Sequence, residues 1–240
     1  MRTVCIIQAR MGSTRLPGKV LEPIFDRPML AWDVHRVRQA RLLDEVVVAT
    51  STLTQDDPIV ALCEREGWPH FRGSEADVLN RYYHAAQAFG AEAVVRITAD
   101  CPLIDPGVLD LTVAAFRSAA PQVDYVNNVT PRTYPRGLDA EVFTFAALER
   151  AWQEDDSAWR EHVTPYIYQT PGAFRLHFVT NPVNYAHHRW TVDTRRDMEL
   201  VRRIYAHFGH GDFTWQAALA LLQEHPDWAD INRDVEQKSI

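Results

Sequence analysis

Three cysteines in 240 residues, Cys5, Cys63 and Cys101, are too few and too scattered for a disulfide framework, and no C-x-x-C pair offers a zinc or redox site. Their number is odd, so they cannot all pair, and a reducing compartment, the cytoplasm, is expected. No apolar stretch approaches the roughly 20 residues that cross a bilayer, so no membrane partner is expected. The start, Met1-Arg2-Thr3-Val4, moves straight into a strand and has no signal-peptide architecture. Positive charge is scarce as well: 25 Lys and Arg stand against 32 Asp and Glu, a formal net charge of −7. That excludes the broad basic surface of a nucleic-acid binder. Neither G-x-x-x-x-G-K-[ST] nor G-x-G-x-x-G occurs, so the usual P-loop and Rossmann fingerprints are absent. With no repeat, low-complexity tract or linker, one continuous domain over residues 1–240 is expected.

What is present starts at residue 4. The apolar run Val4-Cys5-Ile6-Ile7 reads as a buried first strand. It opens into Gln8-Ala9-Arg10-Met11-Gly12-Ser13-Thr14-Arg15-Leu16-Pro17-Gly18-Lys19, a loop with two glycines and the cations Arg10, Arg15 and Lys19. Glycines let backbone N–H groups approach phosphate oxygens, and the cations offset their charge, so the loop suits a polyphosphate. A Gly/Pro-rich loop after a strand can also be a plain turn, but three cations in an acidic chain argue for an anionic ligand.

The first half alternates strand and helix. Helical spacing runs from Pro28 to Arg41, and Glu45 to Thr50 reads as a second buried strand. Asp56 or Asp57 caps a helix reaching Glu66, with Pro58 as its candidate first residue. A short strand at His70-Phe71 precedes a helix over Asp77–Phe89. Ala93 to Thr98 is the next strand and Pro106 to Ala119 the next helix. The pattern implies a mostly parallel central sheet flanked by helices, an α/β fold. In the second half, Tyr125–Asn128, Leu138–Phe143 and Phe174–Val179 read as strands. Ala146–Gln153, Arg160–Tyr168, Arg195–Phe208 and Thr214–Glu224 read as helices, and the polar tail after Asp234 is expected to fray.

Two acids stand where such sheets bind ligands. Asp100 lies just past the C-terminal end of a central strand, where a carboxylate can hold a divalent cation against phosphates. Asp193 ends Arg189-Trp190-Thr191-Val192, read as a short strand, and either joins Asp100 or caps the following helix. Asp105, immediately before Pro106, reads as a helix N-cap. Cys101 is a poor ligand for a hard cation. His187 and His188, adjacent on an extended segment, point to opposite faces and make a poor zinc pair.

The loop from Gln8 to Leu21 resembles the signature of the cytidylyltransferases that activate sugar acids, the CMP-KDO and CMP-acylneuraminate synthetases. The similarity is closest to the branch of spore-coat polysaccharide biosynthesis cytidylyltransferases. It extends to Gly73-Ser74-Glu75-Ala76-Asp77 through Arg81-Tyr82-Tyr83, to Arg96–Asp105, Gly137–Phe143, Arg160-Glu161-His162-Val163-Thr164-Pro165 and Arg189–Asp193, in the same order over nearly the whole chain. The resemblance implies a nucleotide-diphospho-sugar transferase (GT-A-like) fold, with a nucleotide-binding half over about 1–120 and an acceptor-binding half over about 121–234. It implies CTP over Gln8, Ala9, Arg10, Gly12, Ser13, Arg15 and Lys19, with Ser74, Asp77 and Arg81 near base and ribose. Mg²⁺, or Mn²⁺, would sit at Asp100 and Asp193. Gly137, Asp139, Glu141, Arg160, His162 and Arg189 would face the acceptor sugar. KDO-activating enzymes carry Gly-Asp-Glu-Pro where this chain has Ala99-Asp100-Cys101-Pro102; the missing acid argues against KDO itself as acceptor.

The chemistry implied is attack of an acceptor oxygen on the α-phosphorus of CTP with loss of pyrophosphate. Lys19, Arg15 and Arg10 would stabilise the charge that develops, and cell-surface polysaccharide biosynthesis is the expected setting. Other classes remain open: a sugar-1-phosphate nucleotidyltransferase, a glycosyltransferase on the same fold, or a nucleotide-binding module without turnover. A homodimer is an open assembly.

Overall fold

The computed structural model of the chain describes residues 1–237, the side chains at 158 and 159 excepted. Residues 238–240 of the expected fraying tail lie outside the described residues. The first half forms β1 (Thr3–Gln8), β2 (Pro23–Ile24), β3 (Arg27–Pro28), α1 (Met29–Val37), β4 (Glu45–Ser51), α2 (Asp57–Glu66), β5 (His70–Gly73), α3 (Val78–Ala88), β6 (Ala93–Thr98) and α4 (Pro106–Ala119). The second adds β7 (Tyr125–Asn127), β8 (Glu141–Thr144), α5 (Phe145–Glu154), α6 (Pro165–Gln169), β9 (Leu176–Phe178), α7 (Arg195–Phe208), α8 (Trp215–Glu224) and α9 (Pro226–Ala229).

Among the described residues, seven strands share one sheet in the order β5-β4-β1-β6-β8-β7-β9, while β2 and β3 pair apart from it. The sheet is mostly parallel and flanked by helices; β8 alone runs against its neighbours β6 and β7. The two-residue period of a strand divides the core. Cys5 and Ile7 of β1, with Val46 and Val48 of β4, face the layer of α1, α2, α4, α7 and α8. Val4 and Ile6, with Val47 and Ala49, face α3, α5 and α6. No helix among the described residues is long and apolar enough to cross a membrane.

The strand order positions the site. From β1 the chain steps to β4 and β5, then returns past β1 to place β6 on its other side. The loops leaving β1 and β6 therefore diverge at the switch point where open α/β sheets bind ligands. Because β8 is antiparallel, it enters the sheet at the edge where β6 leaves, so the segment before Glu141 joins the same cleft.

Several segments differ from the sequence reading, among them the expected Leu138–Phe143 strand, which begins only at Glu141. The first helix starts only after Pro28 and stops at Val37. The expected Arg160–Tyr168 helix is broken into a 3-10 turn, Ala158–His162, and α6, with Val163 at φ +71° between them. Pro165 contributes to this, since it lacks the N–H that a continuous helix would bond to the Glu161 carbonyl. Arg189–Val192 is not a strand of the sheet: its one bridge pairs Arg189 with Arg136. The Trp190 N–H goes to the Arg136 carbonyl at 2.7 Å and the Val192 N–H to the Asp100 carbonyl at 2.8 Å. The segment is stitched to two loops instead of a ladder.

Candidate active site

The first loop is closed by one carbonyl. Met11 O accepts from the N–H groups of Ser13 and Gly18, each at 2.9 Å, and the second bond requires Gly18 at φ +73°, which glycine adopts freely. The Ser13 hydroxyl accepts from Leu16 N–H at 3.4 Å. The amides of Gly12 and Arg15 make no hydrogen bond among the described residues and are the donors the loop can offer a phosphate.

A buried acid holds this loop in place. Asp56, fully buried, accepts from Met11 N–H at 2.7 Å and from the Ser51 hydroxyl. It makes no side-chain cap on α2, for which the sequence offered it or Asp57. The signal was the doubled aspartate before Pro58, one more acid than a helix start needs. Asp56→Ala strips the acceptor from both bonds, each worth about 1.5–3 kcal/mol when charge-assisted. A loss of about 2–4 kcal/mol in denaturant unfolding is expected, with Asp56→Asn losing less. An unchanged unfolding midpoint would show that the loop is anchored elsewhere.

Lys19 follows Gly18 on a single 3-10 turn, Lys19–Leu21. It is buried, and its three ammonium protons meet three oxygens: Asp100 Oδ2 at 3.0 Å, Asp193 Oδ1 at 2.9 Å and Val192 O at 2.7 Å. Burial pulls the ammonium down, but the two carboxylates more than reverse this and hold it above its ordinary value. Burial likewise pushes the Asp100 carboxyl up, and Lys19 with the Thr98 hydroxyl brings it below the carboxylate range.

Asp193 gathers two further cations, Arg15 Nη2 at 2.7 Å and Arg189 Nη2 at 2.8 Å. It does not cap α7. Thr194 does, in a capping box with Asp197. Fully buried Asp197 also accepts from Arg189 Nε at 2.8 Å, and Asn232 bonds both Asp197 and the Arg189 carbonyl at 2.8 Å. Arg189, expected to face the acceptor, braces Asp193 and also lines a cavity beside it. The tail joins this brace: the Gln237 amide oxygen accepts from Arg189 Nη1, and the Glu236 carbonyl from Arg15 Nη1 at 3.3 Å. The expectation of fraying is corrected for residues up to Gln237.

The other expected residues surround this centre in varied roles. Gln8 ends β1 with a buried amide oxygen that has no partner among the described residues, and Ala9 N–H continues the sheet to Ala49 O at 3.0 Å. Arg10 reaches across to Glu161 at 2.7 Å. Gly12 lies beneath Gln55 and Glu75. Asp77 caps α3 through Asn80 N–H and accepts from Arg160 Nε at 2.9 Å. Ser74 accepts from Asp77 N–H through its hydroxyl and from buried Arg81 through its carbonyl. Arg160, Asp77, Ser74 and Arg81 therefore form one strut between the two halves of the chain.

On the far side, Asp139 is held bidentate by Arg132, and Glu141 by Arg96 at 2.8 Å. His162 is half-buried, its imidazole lowered by that burial and by the positive charge of Arg96 and Arg10, against Glu161. Gly137, at φ +106°, presses on the backbone of Trp190, where a Cβ would stand 2.7 Å from the carbonyl carbon. Asp105 caps α4 by accepting from Gly107 and Val108 N–H at 2.9 and 3.1 Å. The rings of His187 and His188 lie 4.2 Å apart instead of facing opposite ways, because the segment is a turn.

The donor set around Lys19 is two carboxylates and a carbonyl, all hard oxygens. Among the described residues no three His, Cys, Asp or Glu side chains gather on one point. Asp100 and Asp193 already converge on a single cationic nitrogen, so they fit a divalent ion that takes its remaining ligands from water and phosphate, as Mg²⁺ does.

Sheet, loop and paired carboxylates place the chain among the nucleotidyltransferase enzymes. Comparison with known proteins narrows the class: a family model described as Cytidylyltransferase matches residues 4–207, and the chain belongs to that family. It is 36% identical over 234 residues to the spore coat polysaccharide biosynthesis protein SpsF of Bacillus subtilis, covering 93% of this chain and 95% of that one. It is 31% identical over 240 residues to the 3-deoxy-manno-octulosonate cytidylyltransferase of Chlorobaculum tepidum, covering 99% of this chain and 84% of the relative. A solved cytidylyltransferase from Leptospira borgpetersenii superposes with a TM-score of 0.92 at 32% identity, over the whole of both chains.

Proposed function

We propose that this enzyme transfers CMP from CTP to a sugar acid or a related sugar, releasing pyrophosphate in a Mg²⁺-dependent reaction that serves cell-surface polysaccharide biosynthesis. The observation that carries this reading is Lys19 held between Asp100 and Asp193 at the sheet's switch point, beneath a loop with two amides unbonded among the described residues. The relatives named for spore coat polysaccharide biosynthesis and as a 3-deoxy-manno-octulosonate cytidylyltransferase support it.

The residues divide the work as follows. The amides of Gly12 and Arg15 and the Arg15 guanidinium bind the triphosphate. The Lys19 ammonium, fixed in place by its three acceptors, lies against the charge that grows on the leaving pyrophosphate as the acceptor oxygen attacks. Asp100 and Asp193 would hold Mg²⁺, which when bound screens the triphosphate's charge and orients it. The brace of Arg189, Asp197 and Asn232 keeps Asp193 in register.

The base is read elsewhere, since every NTP carries the same phosphates. The side chains of Ser74 and Asp77 are committed to their strut, so discrimination falls to the backbone at Ala9-Arg10 and over Gly73–Ala76. Carbonyls there favour cytosine's exocyclic amine over uracil's oxygen. Pyrophosphate release from each of the four NTPs, with sugar acids and sugar phosphates as acceptors, tests the reading. CTP is expected to exceed UTP by at least about tenfold, roughly 1.4 kcal/mol of differential binding. Equal use of UTP, or preference for a purine, would overturn it.

A further inference from the structure

A cavity of about 290 Å³ opens beside the brace, walled by Arg136, His187, His188, Arg189, Trp190 and Arg233 among others, and roofed by Val235 and Gln237. Its size is at the small end of ligand pockets, suited to a monosaccharide. Among the described residues no carboxylate lines it, although the chain as a whole carries a net charge of −7. Two of its guanidinium groups are already answered: Arg189 by Asp193 and Asp197, Arg233 by Asp230.

Arg136 is not. It is half-buried, and its side chain makes no hydrogen bond or ion pair among the described residues. Other guanidinium groups at this end of the molecule, on Arg132, Arg160, Arg189 and Arg96, are all paired. Its place is fixed, because its N–H bonds His188 O at 3.0 Å, its carbonyl accepts from Trp190 N–H, and Gly137 is wedged against Trp190 behind it. Burial and the like charges of Arg132 and Arg189 hold it below its ordinary value, against Asp139 and Asp193. A rigid, partly desolvated cation with no hydrogen-bonded or ion-paired partner among the described residues is suited to receive an anion.

We propose that Arg136 reads the acceptor: it binds the oxyanion of the sugar, a carboxylate or a phosphate, in this cavity, and so sets the enzyme's acceptor specificity. The inference rests on the proposed CMP transfer and adds to it the residue that selects the second substrate. Arg189 joins the cavity to Asp193, so an acceptor anchored at Arg136 lies one side chain from the nucleotide centre.

The test has two arms. In the first, CMP transfer is measured with acceptors matched except for charge: a 2-keto sugar acid with its methyl ester, and a sugar 1-phosphate with the free sugar. Only an anionic member is expected to turn over, and which one identifies the oxyanion. Arg136→Gln should raise its KM about 10- to 100-fold, the weight of one charged hydrogen bond. The KM for CTP should move far less, and Arg136→Lys should recover part of the loss. Equal use of the neutral member, or an acceptor KM untouched by Arg136→Gln, would overturn the proposal.

The second arm needs no turnover. Site-resolved labelling with phenylglyoxal, which attacks unpaired guanidinium groups, should modify Arg136 ahead of Arg132 and Arg189. Sulfate and the 2-keto sugar acid should slow labelling at Arg136 selectively; slow labelling there, or no protection by either anion, would overturn the assignment. Calorimetric titration with CTP separates the two failures. Absent CTP binding overturns the CMP-transfer reading, while the labelling result still decides Arg136.

Discussion

Lys19→Met will lower kcat/KM for CTP by about two to three orders of magnitude, the cost of removing a preorganised charge aimed at a developing anion. The same variant will be less stable by about 2–4 kcal/mol, because it leaves two carboxylates facing each other without the ammonium between them. The sequence suggests only the first effect, since a loop cation ordinarily contributes little to a core. The second follows from burial: the Lys19 side chain is 9% exposed, and Asp193 only 14%. Pyrophosphate release measures one effect and urea unfolding the other. Turnover within threefold of the parent would remove Lys19 from the phosphate machinery. An unchanged unfolding midpoint would show that water, not Lys19, answers the carboxylates.

Asp100→Asn will reduce the maximal rate by about 10²–10³, in the range seen when one electrostatic contact to the transition state is lost. It will also raise the Mg²⁺ concentration needed for half-maximal rate by at least about tenfold. Asp193→Asn should do the same with a larger loss of stability, because Arg15 and Arg189 then lose their shared partner. The Asp100 change has a further signature in acid. Its folded carboxyl lies below the ordinary value of 3.8, so its contribution is present above that pH and is lost as pH falls through the lower, folded value. Asp100→Asn should therefore shrink the acid limb of the stability profile. Full activity in excess chelator, or an unchanged metal requirement in both variants, would remove the pair from any metal role.

Much of this was legible because local physics dominates in the first half of the chain. Buried β-branched runs made β1, β4 and β6 readable, and Asp105 before Pro106 is a helix start by chemistry alone. The glycine loop with Lys19, and Asp100 at a strand end, needed only the rule that parallel sheets bind ligands at that edge. What stayed hidden depends on long-range contacts. The doubled acid before Pro58 hints that one aspartate is spare, but nothing local says that the carboxylate of Asp56 will reach Met11. Asp77 carries a ligand-binding residue type, yet its carboxylate is spent on the α3 cap and on Arg160, and nothing local to Arg189 says that Asp197 and Asn232 will hold it as a brace as well. The extended run ending in Asp193 looks like a strand, but its hydrogen bonds go to Arg136 and Asp100, on loops far away in sequence. Polar composition foretold a loose tail, and only the fold reveals that Arg15 and Arg189 are there to receive it.

The reversed direction of β8 has a consequence for how such an enzyme can diversify. The nucleotide wall consists of connections between parallel strands and their helices, the longest of them, between β1 and α1, tied down by Met11 O, Asp56 and the β2–β3 pair, so that a change of length would disturb the site. The opposite wall is carried by the approach to β8, residues 131–140, and by the irregular run 184–193, which owes the sheet no register. Insertions or exchanges there can reshape the space around Arg136 while Lys19, Asp100 and the first loop keep their places. One half of the cleft is conservative by construction and the other is free to be retailored, so a single donor chemistry can be offered to many acceptors.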